Sequence, residues 1–126
     1  MNERQARALV IARAGGRCER CGGIGRSIHH RKKRSHLPKG QQWCPTNLVL
    51  LCGSGTTGDH GWVEANPSDA EKEGWHVRPW DDPAEIPVKR LRSEWMLLLP
   101  DGGMTDGEPP EKGERVFSEE TPVRQD

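Results

Sequence analysis

Two cysteines separated by two residues, in Cys18-Glu19-Arg20-Cys21-Gly22-Gly23, set the tightest limit on this chain. A backbone that turns sharply between two thiolates brings both to one tetrahedral zinc ion, and the glycine that follows tolerates the positive φ such a turn uses. Redox motifs share the spacing, but the strand–helix–strand pattern of a thioredoxin-like chain is missing here. A metal staple would also answer a shortage. Hydrophobic residues make up 32% of the 126, with one Phe and no Tyr, so apolar burial alone gives one small domain a thin core. The 15 Gly and 10 Pro predict many turns and little long helix. No apolar run approaches the ~20 residues that span a bilayer. Met1-Asn2-Glu3-Arg4 does not open a secretory signal. The expected setting is a reducing cytoplasm, with the four cysteines serving as ligands rather than disulfides.

The net charge of +0 conceals two unlike halves. Residues 1–50 hold 11 Lys and Arg against Glu3 and Glu19, and the remaining 76 hold 8 cations against 17 anions. A basic half suits a polyanion such as DNA; the plainer reading, an acidic half that only balances it for solubility, explains the clustering less well.

Asn2 to Ala14 reads as a helix with Gln5, Ala8, Leu9 and Ala12 on one face, ended by Gly15-Gly16. Arg26-Ser27-Ile28-His29-His30 reads as a short strand that sends its two histidines to opposite faces, and hence to different roles. The charged run Arg31-Lys32-Lys33-Arg34 follows at once. Such runs are most often solvated surface, but beside a histidine pair in a basic half phosphate contact is the better reading, with Arg26 and Lys39 as weaker candidates. Leu48-Val49-Leu50-Leu51 predicts a buried strand after Asn47. The glycine-rich run 53–58 lacks the Gly-Lys-Ser/Thr of a nucleotide-binding loop. A helix is expected from Asp59 to about Ala65, with His60 in its first turn, and another turn or two from Ser68 as cap. Trp75 to Trp80 predicts an edge strand, and Trp95 to Leu99 a strand ending at a Pro-Asp-Gly-Gly turn. The resulting organisation is a helix over 1–17, a core over 18–66, an α/β extension over 67–104 and a disordered acidic tail over 105–126.

The order His29-His30, Asn47, His60 behind a Cys-x-x-Cys resembles the HNH endonuclease family, in particular its small phage-type members with a zinc knuckle. The likeness spans about residues 1–100 and is densest from Arg13 to Val63. It implies a small α+β fold: a ββα-metal (His-Me finger) core with the knuckle, the N-terminal helix and a C-terminal β-hairpin. It also implies hydrolysis of DNA phosphodiester bonds. In that chemistry His29 matches a metal ligand, His30 the general base, Asn47 the residue that orients the base or helps hold the metal, and His60 the closing metal ligand. Asn47 could do so by accepting a hydrogen bond from the base's far nitrogen. The catalytic cation would be Mg, Mn, Ni or Zn. The family's second cysteine pair is incomplete here: Cys52 is present, but the last slot is Asp59. The favoured structural zinc is held by Cys18, Cys21, Cys52 and Asp59; Cys44 as fourth thiolate, or a lost zinc, are the alternatives. Implied partners are double-stranded DNA and, among the packaging proteins of tailed phages, the large terminase or portal. Each residue taken singly has a plainer role, Asn47 as a turn cap and His29 as a satisfied strand histidine. The main rival as a whole is a zinc-knuckle protein that binds nucleic acid and cuts nothing. A toxin-like nuclease domain comes third.

Overall fold

The capping box at Asn2 starts the first helix: its side chain accepts from the Gln5 amide at 2.8 Å, while Gln5 Oε1 accepts from the Asn2 amide at 3.1 Å. In the computed structural model, which describes residues 1–110, this helix (α1, Glu3–Ala14) ends at Gly15 with φ 64°. Its inward stripe is Ala6 and Val10, not the predicted face of Gln5, Ala8, Leu9 and Ala12. Arg13 causes the rotation. Its guanidinium is buried, pairs with both carboxylate oxygens of Glu19, and donates to the carbonyls of Pro45 and Leu48. A cation therefore belongs to the core stripe, which hydrophobic periodicity reads as surface. Glu19 also accepts from the Leu50 amide and from Arg90, so its buried charge is matched on every side.

Strands β1 (Ser27–His30) and β2 (Leu48–Leu51) pair antiparallel with Ser27 opposite Leu51, Ile28 opposite Leu50, His29 opposite Val49 and His30 opposite Leu48. Residues opposite each other share a face, so this register fixes where each histidine goes. Leu48 and Leu50 pack with Ala6 and Val10 of α1, which puts Ile28 and His30 on that side. Val49 and Leu51 pack with Val63, Ala70 and Trp75, which puts Ser27 and His29 on the other. All four β2 residues are buried, each aliphatic side chain contributing roughly 1.5–3 kcal/mol.

Helix α2 (Gly58–Ala65) lies against this second face, followed by α3 (Pro67–Lys72). The cap of α3 is Asn66 with Pro67 at the first helical position, so the expected cap Ser68 is already inside. Residues 75–80 form no strand: Trp75 is fully buried and donates Nε1–H to Glu73, and the Val77 amide donates to the Arg31 carbonyl. The outer sheet is instead β3 (Val88–Arg90), β4 (Glu94–Leu98) and β5 (Met104–Asp106), antiparallel in that order. The β3–β4 turn carries Leu91 (φ 51°) and Arg92 (φ 68°), a left-handed pair normally given to Asn-Gly, and the Leu91 amide is tied to the Glu19 carbonyl. Residues 105 and 106 of the expected tail belong to strand β5, and residues 111–126 of it lie outside the described residues. The whole is a small mixed α/β fold of three α-helices and two antiparallel sheets among the described residues, and none of those helices is long and apolar enough to cross a membrane.

Candidate metal centres

Two clusters of ligand-type side chains flank the first turn of α2. In the first, one ligand atom from each of Cys18, Cys21, Cys52 and Asp59 lies within 4.8 Å of all the others. Cys18 and Cys21 come from the knuckle, Cys52 from the end of β2 and Asp59 from α2. The Cys21 and Cys52 sulfurs are 3.8 Å apart, matching the about 3.8 Å that a tetrahedron of ~2.3 Å Zn–S bonds demands. Cys18 Sγ lies 3.2 Å from Asp59 Oδ2, and the Asp59 amide donates to Cys52 Sγ. Burial pushes the Cys18 thiol up to about 12 and raises that of Cys21 as well, a burden a divalent cation at the centre would reverse. Burial works against the Asp59 carboxylate too, but hydrogen bonds from Cys21, Cys18 and Arg20 outweigh it and hold its pKa below the ordinary value. Arg20 reaches Asp59 at 2.6 Å and Glu73 at 2.9 Å while stacking over Trp62. Cys44 is elsewhere, against the Thr46 hydroxyl, and takes no part. These residues fit a zinc ion, or another metal of similar taste.

The second cluster joins His29, His60 and Glu64. Glu64 Oε2 lies 3.3 Å from His29 Nδ1 and 3.5 Å from His60 Nε2. The outer nitrogens decide the tautomers. His29 Nε2 is 2.8 Å from the Trp75 carbonyl, which can only accept, so Nε2 carries the proton and Nδ1 presents a lone pair. The Ser27 hydroxyl donates to the Gly53 carbonyl and so accepts from His60 Nδ1 at 2.6 Å, which leaves His60 Nε2 a lone pair too. Burial drives the His29 pKa down to about 3, with the neighbouring His76, His60 and His30 adding to the shift, so its ring stays neutral. One atom each from His29, His60 and Glu64 thus face one another, with Glu64 open to solvent on one side, and the three could hold a cation. Close packing holds α2 in place: a Cβ on Gly61 would come within 2.5 Å of the Thr56 carbonyl carbon.

The remaining expected site residues are arranged differently. His30 does not join the cluster. Its ring packs edge-on against Trp43 at 5.1 Å, and its Nε2 is buried without a hydrogen-bond partner. Burial and the charges of Arg34 and Arg7 lower its pKa, keeping it neutral. Asn47 does not touch His30: its amide clamps the Lys32 backbone, accepting from the amide at 2.7 Å and donating to the carbonyl at 3.0 Å. Of the basic run, Arg31 is misread as a phosphate contact. It is buried, and its guanidinium donates to the carbonyls of Gly74, Thr46, Pro83 and Ile86. Lys32 is half-buried and donates to the Asp81 carbonyl; Lys33, Arg34, Arg26 and Lys39 are exposed. Glu64, Ser27 and Trp75 carry no expected site role, and His76, which reads in the sequence as an ordinary surface or structural histidine, packs its ring edge-on against His29 at 5.1 Å. The His60-x-x-x-Glu64 spacing, one helical turn, was a readable signal for Glu64; the Trp75 carbonyl left none. No family model matches the chain, and no curated protein or solved structure is significantly similar to it.

Proposed function

We propose that this chain is a metal-dependent endonuclease that hydrolyses DNA phosphodiester bonds, as its likeness to HNH proteins implies. The observation that carries the reading is the convergence of His29 Nδ1, His60 Nε2 and Glu64 Oε2 on one point, from a β-hairpin and the helix beside it. A divalent cation there supplies Lewis-acid stabilisation of charge developing on the phosphate. His29 and His60, oriented by the Trp75 carbonyl and the Ser27 hydroxyl, would hold it, and the half-exposed Glu64 would add negative charge. The Cys18–Cys21–Cys52–Asp59 group anchors zinc and with it the start of α2. His30 is the candidate general base, neutral and with a buried Nε2 that makes no hydrogen bond, although the β1–β2 register sets it across the sheet from His29 and against Trp43. Asn47 assists by fixing the backbone just after β1. Double-stranded DNA is the substrate, and the large terminase or portal of a tailed phage is the partner that supplies target choice.

One observation favours a second reading, a non-catalytic zinc-knuckle protein that binds nucleic acid: the intended base is shut beneath Trp43. Supercoiled plasmid incubated with the protein, with and without Mg, Mn, Ni or Zn, separates the two. Metal-dependent nicking that His30→Ala abolishes at unchanged metal content supports the nuclease. Intact plasmid with every metal leaves the binder, and equal nicking by His30→Ala removes His30 from the role of base.

A further inference from the structure

A cleft of about 300 Å³ opens next to the histidine cluster, walled by Lys33, His36, Glu71, His76, Arg78 and Pro79. His76 is its shared wall: one edge of the ring meets His29, and Nε2 is held at 2.9 Å from the Val63 carbonyl, one residue before Glu64. Beside the cleft, Trp80 is 75% exposed, with the Arg78 guanidinium 5.8 Å from its ring centroid. An exposed indole beside a cleft that carries Lys33 has the form of a stacking platform. We propose that this cleft, with Trp80 at its rim, seats one unpaired nucleotide of a single nucleic-acid strand passing the metal centre.

The size argues for one unit. A volume of about 300 Å³ lies at the lower end of small-ligand pockets, enough for a nucleoside and its phosphate and too small for a base pair. Two kinds of polar group line the cleft: the Glu71–Arg78 ion pair, close to neutral, offers a flat donor–acceptor edge to a base, and the exposed Lys33 offers a positive charge to a phosphate. Stacking on Trp80 is indifferent to which base is present. The inference rests on the nuclease reading for the identity of the polymer, and its test is read without cleavage.

The test is fluorescence anisotropy of the full-length protein, without added divalent metal, on a short labelled DNA single strand and on the same sequence as a blunt duplex. Trp80→Ala and Lys33→Ala change exposed side chains, and a thermal melt checks that the fold is kept. Trp80→Ala is expected to weaken single-strand binding roughly fivefold or more and duplex binding by less than about twofold, while Lys33→Ala, in the basic run, is expected to weaken single-strand binding more than duplex binding. Equal losses on both DNAs, or no loss on the single strand, overturn the proposal. Plasmid nicking is scored separately. If wild type nicks nothing while the strand-selective loss holds, the cleft stands and the nuclease reading falls; if wild type nicks and the variants bind as wild type, the reverse is true.

Discussion

Replacing Arg31 by Lys keeps the charge and removes the fork. Arg31 Nε donates to Gly74 at 2.8 Å, Nη1 to Thr46 at 2.7 Å and to Pro83 at 3.0 Å, and Nη2 to Ile86 at 2.6 Å. An ammonium is a single atom and cannot span carbonyls arrayed around a planar guanidinium. If it reaches two of the four, two buried acceptors lose charged donors, each worth about 1.5–3 kcal/mol. The expected loss is about 3–5 kcal/mol, a large share of the roughly 5–15 kcal/mol that holds a domain of this size. The thermal midpoint should fall by roughly 10–25 °C, read by circular dichroism or by fluorescence of buried Trp75. A role in phosphate contact predicts the opposite pattern. An Arg31→Lys protein that melts with wild type, yet binds DNA more weakly, would refute the assignment of this residue as an internal tie.

Three further outcomes follow from the two clusters. Cys52→Ser should lower the zinc bound per chain by elemental analysis and lower the thermal midpoint, and chelator should then shift the variant less than wild type. Glu64→Gln should weaken binding of Mn to the histidine cluster by roughly tenfold or more in calorimetry while leaving the fold intact, since Glu64 is half-exposed. In chelator-treated protein, stability should fall with acid. His29 titrates near 3 when folded against 6.5 otherwise, so the unfolded chain binds more protons between those values. Its contribution is complete above about pH 6.5 and is lost progressively as pH drops toward 3, amounting to roughly 3–5 kcal/mol. Urea midpoints that stay equal at pH 7 and pH 4 would contradict the burial of a neutral ring.

Local patterns in the sequence carried further than long-range ones. The short strands around His29 and Leu50, the first helix and the start of α2 were readable because each is marked by caps, glycines or a compact apolar run. The pairing of Cys18 with Cys21 was readable from its spacing, whereas Cys52 and Asp59 were expected beside them only because of the family likeness; the four do lie together. What failed had a common cause, a polar side chain turned inward by a partner remote in sequence. Arg13 finds Glu19 and the Leu48 carbonyl, and Arg31 finds carbonyls up to 55 residues away, so both were read as surface. Trp75 to Trp80 alternates like a strand, but the burial of Trp75 and the Val77–Arg31 bond hold it as an irregular strap. Strand β3 was hidden by its prolines, Pro83 and Pro87, and declares itself only through its pairing with β4. Asn47 does lie close to the end of β1, but its amide braces Lys32 instead of His30, and so reaches the site only through the backbone.

Asp59 and His60 are consecutive residues, yet one turns to the thiols and the other to the imidazole pair. A rotation of α2 that drew Asp59 away from sulfur would swing His60 as well, because a helix moves both side chains as one lever. A metal gained or lost at the cysteines would therefore be felt at the histidine cluster through the same turn of helix.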